Sequence, residues 1–156
     1  MRDLLSTKDQ RQLRLMETLI RNRNWMKLHE LAEKLGCTER ILKSDLNELR
    51  LAFPSIDIQS SVHGIMIDLE VNTSVEDIYQ YFLANSQSFQ LLEYMFFNEG
   101  LPIYRTIENL HSSNANLYRL GRNITKILSS QFQIELSFTP SEIRGNEMDI
   151  RYFFAQ

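Results

Sequence analysis

The chain contains a single cysteine, Cys37, among 156 residues. A disulfide framework within it is excluded, and such sparing use of cysteine fits a reducing cytosol. No N-terminal stretch joins a basic start to an apolar core, so the signal-peptide pattern is missing. A membrane span is missing too: the longest uncharged stretch, residues 78–92, carries Gln80, Asn85, Ser86, Gln87, Ser88 and Gln90 and is too polar for a bilayer. No Cys/His cluster has metal-site spacing, and the five glycines are scattered singly rather than gathered into a phosphate-cradling loop. His29, His63 and His111 have no evident nucleophile partner, so acyl-transfer chemistry is unsupported. These absences lead to the expectation of a protein that is not an enzyme and uses no metal or cofactor.

Lysine and arginine are absent from residues 51–100, which hold seven acids. That segment accounts for the net charge of −3. Residues 1–36 carry eight Lys/Arg against five Asp/Glu, residues 37–50 three of each, residues 101–126 four bases against one acid, and residues 127–156 two bases against four acids. Salt screens charges beyond about 10 Å, so local balance decides contact with a polyanion. Two basic segments around an acidic one fit two basic patches held apart by an acidic spacer; the plain alternative is segregation on a solvated surface.

What is present is a real core and a regular pattern. Hydrophobic residues make up 43% of a chain long enough for one large domain or two small ones, which argues against disorder. Residues 7–23 read as a helix: Thr7 and Gln10 have capping-box spacing, and Leu13, Met16, Leu19 and Ile20 recur at helical intervals. A second helix, 26–35, sets Leu28, Leu31, Ala32 and Leu35 on one stripe, and Gly36 suits a left-handed C-terminal turn. A third starts near Thr38, carries Ile41, Leu42, Leu46 and Leu49, and stops at Phe53-Pro54. Residues 56–69 then alternate (Ile56, Ile58, Ser60; Ile65, Ile67, Leu69) as a strand pair does, with residues 60–64 as its turn and Gly64 free to take positive φ.

Residues 71–74 read as a connector, with Ser74 capping a helix to about Ala84 and Asp77 three residues on. Ser88 starts another helix, and Asn98-Glu99-Gly100 ends it. Pro102 opens a short helix, 102–110, and Ser112 or Ser113 caps a longer one to about Leu128. Residues 132–138 alternate before a loop with Pro140, and residues 150–155 read as the start of a helix that continues beyond the chain. The aromatic run Tyr79, Tyr81, Phe82, Phe89, Tyr94, Phe96 and Phe97 lacks a Lys or Arg to hold a phosphate backbone, and is expected to be core between two units rather than a base-stacking platform.

The order helix, short helix, longer helix, hairpin thus occurs twice. A shift of 75 residues aligns Leu35 with Leu110, Thr38 with Ser113, Leu42 with Leu117 and Leu49 with Ile124, and places His63-Gly64 near Arg144-Gly145 once the second hairpin is allowed about six more residues. In the first copy, Leu28-x-x-Leu31-Ala32-x-x-Leu35-Gly36-Cys37-Thr38-x-x-x-Leu42-x-x-Asp45-Leu46-x-x-Leu49 has the parts of a helix-turn-helix: a small residue for close approach, a glycine turn and an apolar seal. The free face of its second helix would carry Thr38, Glu39, Arg40, Lys43, Ser44 and Asn47. Arg40 suits guanine, Asn47 adenine or phosphate, and Lys43 phosphate, whereas Glu39 and Glu48 favour a plain solvated face. Asp45 reads as structural, and His63 stands at the wing tip as a backbone or minor-groove contact or as a solvated turn residue.

In the second copy the corresponding helix is more basic, with Ser113, Asn114, Asn116, Arg119, Arg122, Asn123 and Lys126. Arg119, Arg122 and Lys126 share a face by their three- and four-residue spacing, and Arg144 is expected at the second wing.

Thr38-Glu39-Arg40-x-Leu42-x-x-Asp45-Leu46-x-x-Leu49, followed by a wing, a Phe/Tyr-rich linker and a second helix-turn-helix, resembles the N-terminal region of the Mga family, global virulence-gene regulators of Gram-positive cocci and bacilli. The resemblance covers essentially the whole chain. It implies a mainly α fold with small β-hairpin wings, arranged as two tandem winged helix-turn-helix domains, the first over residues 1–70 and the second, with a linker helix, over 71–156. It implies a cytoplasmic transcription activator about three times this length, with sugar-transport-system regulatory domains and a dimerisation domain further on, hence a homo-oligomer. Both recognition helices, near 38–50 and 113–126, would then contact double-stranded promoter DNA, read by sequence or shape, of virulence or sugar-linked genes. A winged-helix protein-interaction module without DNA contact is the competing reading, drawn from the acidic, aromatic 51–100 segment. An enzyme or an RNA antiterminator is the third.

Overall fold

The computed structural model describes residues 2–69 and 74–155. Among them are eight α-helices, a short 3-10 helix at Arg2–Leu4 and two antiparallel hairpins. The chain divides into two compact units, Thr7–Phe82 and Met1–Ser6 with Leu83–Gln156. Each contains three α-helices followed by a hairpin, in winged helix-turn-helix order, together with further helical residues, so the tandem, mainly α architecture is as expected.

The first unit opens with α1, Thr7–Asn22. Thr7 is already helical, one residue ahead of a cap at that position. Besides Leu13, Met16 and Leu19, Leu15 and Gln12 are buried, so α1 turns a wider face inward than its apolar stripe alone marks. The next helix, α2, spans Leu28–Leu35 and is shorter than expected because Met26 is extended, not helical. Met26 N–H donates to the Ile65 carbonyl at 2.9 Å and Ile65 N–H returns the bond at 2.8 Å, which gives the wing a one-residue third strand. Gly36 closes α2 in the left-handed region (φ 64°, ψ 37°). Its N–H reaches the Glu33 carbonyl and that of Cys37 the Ala32 carbonyl, the paired bonds of a Schellman turn. Thr38 then caps α3, Glu39–Ala52, its hydroxyl accepting from Ile41 N–H at 3.3 Å. Leu42, Leu46 and Leu49 are buried as expected; Ile41 is not. The fourth place on the buried stripe belongs to Asp45.

Strands β1, Ile56–Ser61, and β2, Gly64–Leu69, pair in register from Ile56↔Leu69 to Ser61↔Gly64, so the turn is only Val62-His63. Gly64 is therefore the first residue of β2 rather than part of the turn, and its glycine has a second cause besides φ 124°: a Cβ there would lie 2.0 Å from the Met26 carbonyl oxygen. Gly64→Ala is expected to cost the first unit about 2–3 kcal/mol, from the disallowed φ and the displaced Met26 bridge. A urea titration with an unchanged midpoint would contradict this. Leu69 ends β2, and the connector expected at 71–74 falls mostly outside the described residues. Ser74 and Asp77 cap α4, Val75–Ala84, in both directions: Ser74 N–H donates to Asp77 Oδ2 at 2.8 Å and Asp77 N–H to Ser74 Oγ at 3.1 Å. The bond from Ser74 N–H, with a second that the Ser74 hydroxyl donates to Oδ2 at 2.8 Å, holds the Asp77 carboxyl below its usual range.

The second unit repeats the plan. Helix α5 spans Gln87–Phe97, capped by Ser86 two residues earlier than expected. Helix α6 spans Ile103–Asn109 with Pro102 at its cap, and α7 runs Asn114–Phe132, a turn longer than the expected end near Leu128. Hairpin strands β3, Glu135–Phe138, and β4, Ser141–Arg144, follow. Phe132 is thus helical, although its alternation with Ile134 marks it as strand. Helix α8, Glu147–Phe154, capped by Asn146, completes the unit. Leu91, Leu92, Met95, Leu117, Ile124, Leu128, Ile134 and Phe153 form one core, joined by Leu4. Of the seven aromatics expected as core, only Phe82 is buried; Phe96 and Phe97 are exposed.

The repeat is closest at the turn between the second and third helices. Helices α2 and α6 begin at 28 and 103, and α3 and α7 at 39 and 114. His111 takes the place of Gly36, with φ 46°. His111 N–H reaches the Glu108 carbonyl and Ser112 N–H that of Ile107, the counterparts of the Glu33 and Ala32 bonds. Ser113 repeats the cap of Thr38, accepting from Asn116 N–H at 3.2 Å.

Candidate nucleic-acid interface

In each unit the third helix buries one stripe and frees the other, because Leu42, Leu46 and Leu49, or Leu117, Gly121, Ile124 and Leu128, face the core. On α3 the freed face and its cap carry Thr38, Glu39, Arg40, Lys43, Ser44 and Asn47, all exposed. On α7 it carries Asn114, Arg119, Arg122, Asn123 and Lys126, with Ser113 at the cap, all exposed, and Asn116 half-buried. The two faces differ in charge. Helix α7 has no acidic residue, whereas α3 sets Glu39 and Glu48 beside Arg40 and Lys43. Arg119 Nη2 donates to Asn116 Oδ1 at 2.7 Å, and Asn116 Nδ2 donates to Ser112 Oγ at 2.8 Å. Asn116 is thus spent holding Arg119 in place, a contact that their three-residue spacing allows.

Asp45 is pinned inside the first unit. Arg11 Nε donates to Asp45 Oδ2 at 2.6 Å and Arg11 Nη2 to Oδ1 at 3.1 Å, a bidentate pair. Gln12 Nε2 adds a bond to Oδ1 at 3.1 Å and another to Glu48 Oε2 at 3.1 Å. Lys8 Nζ lies 2.5 Å from the same Glu48 oxygen. The bonds from Lys8 and Gln12 hold the Glu48 carboxyl below its usual range, and that to Glu48 holds the Lys8 ammonium above its own. So α1 fixes the rotation of α3 about its axis, and half the negative charge next to its face is already neutralised. Burial pushes the Cys37 thiol up, so it stays a neutral packing group.

Each wing is tied to its helix. In the first unit Arg50 Nε donates to the Ile58 carbonyl at 3.0 Å, Nη1 to Asn47 Oδ1 at 3.1 Å and Nη2 to Ser60 Oγ at 2.5 Å. In the second, Leu136 N–H donates to Thr125 Oγ1 at 3.0 Å, and Phe138 lies over Gly121, where a Cβ would be 2.3 Å from its ring. His63 is at the first wing tip as expected, exposed, its ring 6.4 Å from that of Trp25. Arg144 is not at the second. The turn there is Thr139-Pro140, and Arg144 pairs with Glu135 at the opposite end of the hairpin and with the Glu142 carboxylate. The alignment of Arg144-Gly145 with His63-Gly64 fails because β3 and β4 have four residues each where β1 and β2 have six. Met26, Arg50 and Ser60 were not foreseen; a one-residue strand has no period, and Arg50 reads as an ordinary helix end.

Among the described residues, no helix is long and apolar enough to cross a membrane and no group of His, Cys, Asp or Glu is arranged to hold a metal. Two recognition helices, each followed by a pinned hairpin, define a tandem winged helix-turn-helix protein. Residues 6–65 match the family model described as the M protein trans-acting positive regulator (MGA) HTH domain, and residues 71–156 that of the Mga helix-turn-helix domain. The chain belongs to the Mga family of regulators. It is 46% identical over its whole length to a protein of Streptococcus pneumoniae serotype 4 whose name describes a trans-acting regulator, covering 32% of that protein. It is 24% identical over 94% of its length to the capsule synthesis positive regulator AcpA of Bacillus anthracis, covering 30% of it. The chain thus spans about a third of the length of these curated relatives.

Proposed function

We propose that the chain binds double-stranded promoter DNA through two unequal recognition helices, α3 and α7, within a cytoplasmic transcription activator. The observation that carries this is the face of α7: Arg119, Arg122 and Lys126 exposed along a helix that has no carboxylate and is backed by a wing. A cationic helix face of this kind can enter the major groove while its cap and wing meet phosphates. The face of α3 contributes register and base contacts, with Arg40 its best base reader. Arg144, at the hairpin's base, is left as a lesser contact. A protein-interaction module in place of DNA binding would be favoured by a negative field over residues 113–126, and the charges on α7 run the other way.

The relatives' names, one of them a positive regulator of capsule synthesis, support activation of virulence or sugar-linked genes. The family-model matches over 6–65 and 71–156 support domains at residues 1–70 and 71–156, although the two compact units divide after Phe82, and the relatives' greater length supports further domains beyond them, regulatory and dimerising in this reading. The test is fluorescence anisotropy with promoter duplexes across a salt series. Binding that weakens steeply with salt is expected, with Arg119→Ala or Arg122→Ala each costing about tenfold and Lys43→Ala less. Salt-independent binding, none at all, a preference for structured RNA, or the reverse ranking would overturn it.

A further inference from the structure

Between α3 and the first wing lies a groove of about 330 Å³, lined among others by Lys43, Asn47, Arg50, Ser60 and Ser61, with no carboxylate in its lining. We propose that this groove is a cradle for one phosphodiester of duplex DNA, and that Asn47 grips that phosphate instead of reading a base. The proposal rests on the DNA-binding reading above and assigns the chemistry of one part of that surface.

Arg50 orients the polar groups of the groove. Its guanidinium can only donate, so the Asn47 atom facing it at 3.1 Å is the carbonyl oxygen, which fixes the amide orientation. Asn47 therefore turns its NH₂ outward with its acceptor engaged. Bidentate recognition of adenine needs both ends of the amide, one accepting from N6 and the other donating to N7. A phosphate oxygen needs only donors. Arg50 also engages Ser60 Oγ as an acceptor at 2.5 Å, which directs that hydroxyl's own proton away from the guanidinium. Lys43 is exposed on the helix side of the groove and Ser61 on the wing side. Donors thus converge from a helix and a wing. When a helix occupies the major groove, the sugar-phosphate strand bordering that groove is what passes between helix and wing. Arg50 acts as a positioning residue here; Lys43, Asn47 and Ser61 would be the contacts.

The test compares Lys43→Ala, Asn47→Ala and Asn47→Asp with Arg40→Ala in anisotropy titrations on a promoter duplex and on single-base-pair variants of it. Circular dichroism checks that each variant is folded. The cradle predicts a loss of about threefold to fivefold for Lys43→Ala and Asn47→Ala, equal on every duplex, and a larger loss for Asn47→Asp, which adds a charge facing phosphate. It also predicts that Lys43→Ala lowers the slope of log affinity against log salt by about 1, while Asn47→Ala leaves it unchanged. Arg40→Ala should lose more on some duplexes than on others. An Asn47→Ala loss confined to variants of one A·T pair would overturn the cradle and make Asn47 a base reader. Full affinity in Lys43→Ala and Asn47→Ala would also overturn it while leaving the DNA-binding reading standing. Failure of the unsubstituted chain to bind any duplex would end that reading and the cradle with it.

Discussion

Reversing two cations on the second recognition helix, Arg122→Glu with Lys126→Glu, is expected to weaken promoter binding about a hundredfold at 0.15 M salt. Both side chains are exposed, four residues apart on one face of α7, and neither has an ion-pair partner among the described residues. The helix contributes no carboxylate that the reversal could relieve. Each change therefore removes a phosphate contact and adds repulsion in its place, and the salt slope should fall by about 2. Glutamate is nearly as good a helix former as lysine or arginine, so the fold should hold to within about 0.5 kcal/mol by thermal melting. The control is an equal charge change on exposed residues of α1, Arg14→Glu with Arg21→Glu, which should alter affinity only a few-fold. If the control weakens binding as much as the α7 reversal, net charge and not the helix face governs the contact.

The contrast between the two units explains how much of the protein could be read from residues alone. Periodicity finds α1, α3 and the first hairpin because Leu42, Leu46, Leu49 and the Ile56–Ile67 alternation are each repeated burial signals. The repeat is faint in sequence because equivalent jobs are done by different residues. Gly36 and His111 both take the left-handed turn position, and histidine, though among the residues better tolerated there, carries no turn signature. Met26 is misread as helix because its strand is one residue long, held by two bonds to Ile65. Arg144 is misplaced because hairpin length, not residue identity, sets which end of a wing a side chain occupies. Ile41 and Asp45 invert the usual expectation, an exposed aliphatic beside a buried carboxylate, because tertiary pairing with Arg11 outweighs the helix's own pattern. The exposed faces of α3 and α7 were legible for the complementary reason: once the apolar stripe is fixed, the opposite face follows from 3.6-residue geometry.

That pairing has the largest expected effect on stability. Asp45→Ala should destabilise the first unit by about 3 kcal/mol. The carboxylate is almost wholly buried, its side chain 2% exposed, and it accepts three bonds, two from Arg11 and one from Gln12. Removing it strands a half-buried guanidinium and leaves the buried Gln12 amide with only its bond to Glu48. Asp45→Asn keeps an acceptor of the same shape and should cost roughly half as much. Replacing both partners, Arg11→Met with Asp45→Leu, should recover most of the stability, since the cost comes from an orphaned charge and not from the pair's own worth. Trp25, the sole tryptophan, lies in the first unit, so its emission in a urea titration reports that unit. The consequence for binding is separate from the consequence for folding. Arg11 and Gln12 reach α3 from α1 only through Asp45 and Glu48, so the apolar double variant keeps the fold but loosens the angle at which Arg40, Lys43 and Asn47 are presented. It should therefore bind promoter DNA more weakly than its regained stability alone would give. Equal affinity in the double variant and the unsubstituted chain would mean that packing of Leu42, Leu46 and Leu49 suffices to aim the helix.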